Sequence, residues 1–379
     1  MEIGSIFEID PNCIENAKKN LGTTLCLDEV EKYGKKYTSY TSSGRQAIAA
    51  ALKFIEKKTP DISKKCLLPT YMCDTVFFPF EQNGWEIYFY HIGINLRADK
   101  EELCRKIEEV SPDLLFVHAY YGVDTWKELR PVLHEYQSNG LILMEDVTQA
   151  YYMQEADARA DYIVGSLRKW YSVPDGGFVT TDEVLETTGL KEDSFFTGQR
   201  INMLTSKWDY LSNLGKEPEV VAELQSRKAE FLALNRKMEE YLDENENVMS
   251  ISDVSASLLS DVDEKKYFIT RNVNYKILYK GFQDRKSVRI VPDMYVKNAA
   301  PLYFPIYAEN RDELQKFFCE NDIYAPVLWP IGKGNEGALE EGEKYIFSHL
   351  LAIPMDHRYG KAEMLRIIEV LDKYENEYR

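Results

Sequence analysis

Lys169 stands in Asp161-Tyr-Ile-Val-Gly-Ser166-Leu-Arg-Lys169-Trp-Tyr-Ser-Val-Pro-Asp-Gly-Gly177, after an apolar run that reads as a strand and before a Gly-Gly turn. A lysine so placed is suited to form an imine with a carbonyl compound. Upstream, Gly140-Leu-Ile-Leu-Met-Glu-Asp146-Val-Thr-Gln149 reads as a buried strand that delivers a carboxylate at its C-terminal end, the edge where open α/β sheets bind ligands. An imine-forming amine and a carboxylate able to hold a ring nitrogen protonated are the minimal protein chemistry that pyridoxal phosphate (PLP) demands.

A phosphate on such a ligand needs its own site. In Thr41-Ser-Ser43-Gly44-Arg45-Gln-Ala-Ile-Ala-Ala-Ala51, serines and a glycine precede an alanine-rich helix, whose N-terminus offers backbone N–H groups to an anion. Taken alone, this is also an ordinary serine N-cap. Ser166-Leu-Arg-Lys169 satisfies S-x-x-K, the nucleophile motif of penicillin-recognising serine enzymes, but the S-D-N and K-T-G elements that go with it are missing from the sequence. Gly332-Lys-Gly334-Asn-Glu-Gly337 matches the dinucleotide fingerprint, with Asp356 about twenty residues on. Too little chain follows for further βαβ units, and Trp329-Pro330 interrupts the strand, so a loop is expected there. The five histidines show no metal-ligand spacing, and no metal is expected. His118, at a strand end before Ala-Tyr-Tyr-Gly122, either lines the site or is a satisfied core histidine.

The elements that must position these groups alternate from residue 38 to 181. Helical patterns cover 47–55, 99–110 and 126–137, and extended patterns cover 66–69, 85–91, 114–118, 141–145, 162–165 and 178–180. Such alternation predicts crossover connections and a mostly parallel sheet flanked by helices. Residues 186–250 are charged and helical, with Leu224, Phe231, Leu232, Leu234 and Met238 forming one apolar stripe on an otherwise solvated pair. A long helix over 261–278, an extended 301–307, a helix over 311–320 and an extended 323–329 make a small α/β unit. The expectation is a large domain over 1–250 and a small C-terminal domain over 251–379.

A chain of 379 residues exceeds the usual single-domain length. Its net charge of −17 opposes binding to nucleic acid or an anionic membrane, so a phosphorylated ligand must find a local positive or dipolar site. Cys13, Cys26, Cys66, Cys73, Cys104 and Cys319 are scattered without a C-x-x-C pair, which predicts reduced, mostly buried thiols. The N-terminus has no basic-then-apolar leader pattern and no run approaches a membrane span, so a cytoplasmic protein is expected.

Taken in order, Ser43-Gly44-Arg45-x-Ala-Ile, Leu68-Pro69-Thr-Tyr71-x-Cys73, Val117-His118-Ala-Tyr-Tyr-Gly122, Glu145-Asp146-Val-Thr-Gln149-Ala150 and Ser166-x-x-Lys169 with Gly176-Gly177 resemble the DegT-type, sugar-aminotransferase-like family of fold-type I PLP enzymes. The resemblance continues through Arg271-Asn-Val-Asn274-Tyr275, Tyr303-Phe-Pro-Ile306, Ala325-Pro-Val-Leu-Trp329 and Leu351-Ala-Ile-Pro354-Met-Asp356, over nearly the whole chain. It implies that Lys169 carries the cofactor as a Schiff base, Asp146 pairs with the pyridine nitrogen and Gln149 sits by the phenolic oxygen. Gly44, Arg45 and Ser166 would hold the phosphate, beside Ser43. The family implies a homodimer with its active sites at the interface, glutamate as amino donor and a nucleotide-linked keto sugar as acceptor.

Three departures stand out. Cys73 takes the place of the family's ring-stacking aromatic, which leaves Tyr71 for that role. The phosphate serine lies three residues before the lysine, at Ser166, where the family has it five before, at the position of Val164. The segment that lends a contact to the partner subunit is unrecognisable around 244–249. The reaction expected is a transamination, with His118 and Trp329 as candidate substrate contacts. The alternatives are another PLP reaction on an amino acid, of lyase or decarboxylase type, or a non-catalytic protein of the same fold.

Overall fold

Leu114–His118 and Tyr162–Ser166 are buried at every position, which is how strands read when both faces of a parallel sheet are covered. They belong to the central sheet of the computed structural model, which describes residues 2–21, 33–153, 160–185, 190–215, 221–245, 247–332 and 334–377. In chain order the strands are β1 (Ile3–Gly4), β2 (Tyr37–Thr41), β3 (Lys65–Pro69), β4 (Glu86–Tyr90), β5 (Leu114–His118), β6 (Ile142–Asp146), β7 (Tyr162–Ser166), β8 (Gly177–Thr181), β9 (Val288–Ile290), β10 (Tyr303–Ala308), β11 (Ile323–Tyr324) and β12 (Leu350–Pro354).

The central sheet has the order β2-β8-β7-β6-β5-β3-β4. The pairs β3–β4, β3–β5 and β5–β6 are parallel, whereas β2, which the pattern of apolar residues did not reveal, runs antiparallel to β8. The expected α/β architecture with a mostly parallel sheet and flanking helices is therefore the observed one. The helix Gly44–Lys58 starts at the N-cap Ser43, and Lys100–Val110 starts at Asp99, whose side chain accepts from Glu102 N. The helix expected from 126 begins at Arg130, with Pro131 in its first turn.

The chain forms two compact units, each discontinuous in sequence: one of Ile6–Thr59 and Val164–Val262, the other of Glu2–Ser5, Pro60–Ile163 and Asp263–Arg379. In the first, the helices Ser194–Asn213 and Val221–Glu244 pack together. The expected stripe is more than a solvated face. Leu224 and Phe231 are buried with Ile9, Ile14, Met203 and Leu204, and Met238 is buried with Phe196 and Leu242. Each such side chain contributes roughly 1.5–3 kcal/mol on burial.

In the second unit, β12-β10-β9 forms an antiparallel sheet against the helices Glu264–Phe282, Arg311–Glu320 and Lys361–Glu377, around Phe304, Ile306, Leu314, Ile353, Ile367 and Leu371. The helix expected over 261–278 begins at the Asp263 cap, and a separate helix, Asp253–Ser260, precedes it. The strand expected over 323–329 shrinks to β11, because Pro326 and Pro330 have no N–H to donate to a ladder. None of the five described cysteines forms a disulfide; only Cys66 is buried, against the expectation of mostly buried thiols, and Cys26 lies outside the described residues. Among the described residues no helix is long and apolar enough to cross a membrane.

Candidate functional site

In the unit that carries Lys169, the Gly176-Gly177 turn decides the local geometry. Gly176 has φ +140°, its N–H donates to Ser42 O at 2.8 Å, and its carbonyl accepts from Leu167 N at 3.0 Å. A Cβ at Gly177 would come within 2.3 Å of the Ser43 carbonyl carbon, so only glycine lets β8 pass beneath the Ser43-Gly44 turn. A Cβ on Gly44 would in turn stand 3.2 Å from Cβ of Ser166. The glycines thus bring the N-terminus of the helix Gly44–Lys58 against the end of β7.

Ser43 caps that helix, its hydroxyl accepting from Gln46 N at 3.3 Å, and the first turn holds no acidic residue. Ser166 is 6% exposed, and its Oγ is buried with no hydrogen-bond partner. A buried hydroxyl without a partner costs free energy, so its presence beside a helix N-terminus marks a place for an acceptor such as a phosphate oxygen. Three residues on, Lys169 closes the short turn Leu167–Lys169 and is exposed.

Arg45 turns to acidic partners. Its guanidinium contacts Asp243 and donates to Glu239 Oε2 at 3.0 Å, while Arg168 donates to Glu239 Oε1 at 2.8 Å. Burial pushes the Glu239 carboxyl up, but the charges of Arg168, Lys169 and Arg45 outweigh it and hold the group well below the usual carboxylate range. Met249, at the end of the 244–249 segment, is used within the unit: its N–H donates to Gln46 and its carbonyl accepts from Ser42 N.

The other unit positions the remaining candidates. Asp146 ends β6 directly opposite His118, the last residue of β5. Its Oδ2 lies 3.0 Å from His118 Nδ1, and its Oδ1 accepts from Thr148 N at 2.8 Å. The preceding residue, Glu145, is paired with Arg130, which also grips Asp124. Gln149 is buried, its side-chain oxygen accepting from Tyr121 N at 3.1 Å. The His118 ring meets Tyr120 and Trp329 edge-on, at 4.8 and 5.7 Å between centroids. Tyr71 is 2% exposed and enclosed by Tyr120, Trp329 and Phe347. Cys73 is half-buried, its Sγ 3.1 Å from Thr75 Oγ1.

The described residues of the glycine-rich run form no strand-to-helix turn and lead into the short 3-10 turn Glu336–Ala338; Gly332 and Gly334 lie close to Asp74 and Phe77, whereas Gly337 has nothing near it. A Cβ at Gly332 would come within 2.7 Å of Asp74 Cβ. Asn335 is fully buried and donates to Thr70 O at 2.6 Å. Glu343, from the following helix Glu341–His349, accepts from Thr70 Oγ1 at 2.7 Å and from Ile92 N at 3.1 Å, and meets His91 Nδ1 at 2.8 Å. The segment therefore straps the Thr70-Tyr71-Cys73 stretch in place. Sequence reasoning missed Asn335 and Glu343, as it missed Glu239, because single polar residues in loops and charged helices carry no spacing signal.

The central sheet and its flanking helices define an α/β fold with a mostly parallel sheet. No protein-family profile and no curated protein sequence matches the chain. Solved structures do share its fold along almost their whole length. The sugar aminotransferase CalS13 from Micromonospora echinospora is 15% identical, covers 98% of this chain and 99% of its own, and has a TM-score of 0.66. Helicobacter pylori PseC, an aminotransferase involved in the biosynthesis of pseudoaminic acid, is 13% identical over 99% and 100%, with a TM-score of 0.67. Spr1654 from Streptococcus pneumoniae, in its PLP form, is 12% identical over 98% and 99%, with a TM-score of 0.65.

Proposed function

We propose that this chain is a PLP-dependent aminotransferase that passes an amino group from an amino acid such as glutamate to a keto sugar. The observation that carries the reading is the buried, partnerless hydroxyl of Ser166, set against Gly44 at a helix N-terminus and three residues before Lys169. This donor set fits a phosphate monoester beside an amine. The Ser166 hydroxyl and the first N–H groups of the helix Gly44–Lys58 would hold the phosphate, Lys169 would bind the aldehyde carbon, and Gln149 would face the phenolic oxygen. When bound, PLP supplies an aldehyde that forms imines and a ring that accepts electrons.

The chain's own residues have separate tasks. Asp146 is ringed by His118 and Thr148 N, so its carboxylate is fixed in direction and suited to keep a ring nitrogen protonated. The free amine of Lys169 would take the proton from the donor's α-carbon onto Nζ and return it to the carbon that came from the cofactor's aldehyde. Sugar acceptors are proposed because the solved structures of this fold include sugar aminotransferases. A homodimer in the cytoplasm, with the exposed Lys169 covered by the partner subunit and a nucleotide-linked sugar as acceptor, completes the proposal. The test is release of 2-oxoglutarate from glutamate in stoichiometric amount by the PLP-loaded protein. Formation of carbon dioxide or ammonia instead would assign lyase chemistry.

A further inference from the structure

Glu239, on the helix Val221–Glu244, joins two turns far apart in sequence. One carboxylate oxygen, Oε2, accepts from Arg45 at 3.0 Å, and the other, Oε1, accepts from Arg168 at 2.8 Å. Arg45 is the second residue of the helix Gly44–Lys58, and Arg168 is the middle residue of the turn that ends at Lys169. The Glu239 backbone carbonyl also accepts from Arg45 at 3.2 Å, and Asp243, one helical turn on, contacts the same guanidinium. Arg200 stands 3.8 Å from Oε1. Burial first, and the neighbouring Arg168 after it, bring the Arg200 guanidinium down to about 9, against the opposing charges of Glu239 and Asp175.

We infer that Glu239 is a positioning residue of the lysine site: its carboxylate ties Arg45 to Arg168, and so holds the Ser43–Arg45 turn and the Ser166–Lys169 turn in one register. The inference rests on the PLP reading and deepens it, because the phosphate donors sit on those two turns and the amine on one of them. It also gives Arg45 a different task from the one expected of it, acting on the phosphate site through Glu239. The side chains of Arg45 and Arg168 are mostly buried, so without the carboxylate Arg45 would keep Asp243, Arg168 would lose its acidic partner Glu239 in a poorly screened region, and the tie between the two turns would be gone. Misplacement of about 1 Å is enough to spoil a site that must seat a phosphate and an amine together.

The test compares the full chain with Glu239→Gln, Glu239→Asp and the exposed neighbour Glu240→Gln. Hydrogen exchange is read on peptides covering 42–47 and 164–172 without cofactor, and binding of PLP and of pyridoxal, which lacks the phosphate, is read from the Lys169-dependent absorbance. Glu239→Gln should raise exchange in both peptides and lower the preference for PLP over pyridoxal by on the order of 10-fold. Glu239→Asp should fall between it and the wild type, and Glu240→Gln should match the wild type. If Glu239→Gln does not fold, Glu239→Asp alone decides, since its shorter side chain cannot span both arginines.

An unchanged preference overturns the inference, as does an equal loss for PLP and pyridoxal with exchange raised throughout the unit. Lys169-dependent binding in the wild type with no effect in either Glu239 variant overturns the inference alone. A wild type with no such binding overturns the PLP reading and the inference with it.

Discussion

The Nδ1 atom of His118 lies 3.0 Å from Oδ2 of Asp146, at the matched ends of the parallel strands β5 and β6. Both residues are buried, and the second carboxylate oxygen is taken by Thr148 N. With Nδ1–H donating to Asp146, the imidazole fixes the carboxylate from one side while the strand end fixes it from below. His118 Nε2 is buried with no hydrogen-bond partner among the described residues, so the ring's hydrogen bonding goes to the carboxylate.

The roles of the two residues separate by substitution. Asp146→Asn should retain the cofactor and lose turnover by on the order of 100-fold, since a neutral amide cannot hold the ring nitrogen protonated. His118→Phe keeps the aromatic contacts with Tyr120 and Trp329 and should lower kcat less, about 10-fold, by loosening the carboxylate. Steady-state kinetics checks both; an unchanged rate in Asp146→Asn would place the pyridine partner elsewhere.

Gly177→Ala should destabilise the protein by about 1–3 kcal/mol, because its Cβ would meet the Ser43 backbone at 2.3 Å and neither segment can give way. Gly198→Ala, in the helix Ser194–Asn213, has nothing within 4 Å and should leave the protein equally or more stable. Thermal melting of the two variants side by side measures the contrast.

Much of this was readable in advance. The strands delivering Asp146 and Ser166 announce themselves because both sheet faces are covered, so apolar runs are continuous. Serine before an alanine-rich helix likewise marks the start at Gly44. The strand β2 stayed hidden because Tyr37–Thr41 is polar and only partly buried at an edge of the sheet. The ties of Arg45, and the strap from Asn335 and Glu343 to Thr70, depend on tertiary contacts between residues hundreds of positions apart, for which local spacing holds no information.

The strap can be cut from either end. Asn335→Ala leaves the Thr70 carbonyl without its donor, and Glu343→Gln removes the charge that Thr70, Ile92 and His91 share. Each should cost about 1–3 kcal/mol of stability. Chemical denaturation reads the cost, and no loss in either variant would show that the 70–73 stretch holds itself.

Asp175 gives a pH dependence with a definite sign. Burial raises its carboxyl from 3.8 to about 6, against four hydrogen bonds from Ser252, Ser255 and Thr197 that favour the charged form. A folded-state value above the unfolded one means that the folded protein holds the proton more tightly. Its contribution to stability is therefore full below about pH 4 and lost as pH rises to about 6. The stability of the wild type relative to Asp175→Asn should fall across that window and stay level above it; a difference that rises or stays flat between pH 4 and 6 would contradict the assignment.

The central claim is that Lys169 holds PLP and exchanges it with an amino donor. The most direct measurement is the visible absorption spectrum of the purified protein with PLP, before and after excess glutamate, alongside Lys169→Ala. The account predicts a band that requires Lys169 and that glutamate bleaches. A spectrum identical in wild type and Lys169→Ala would contradict it.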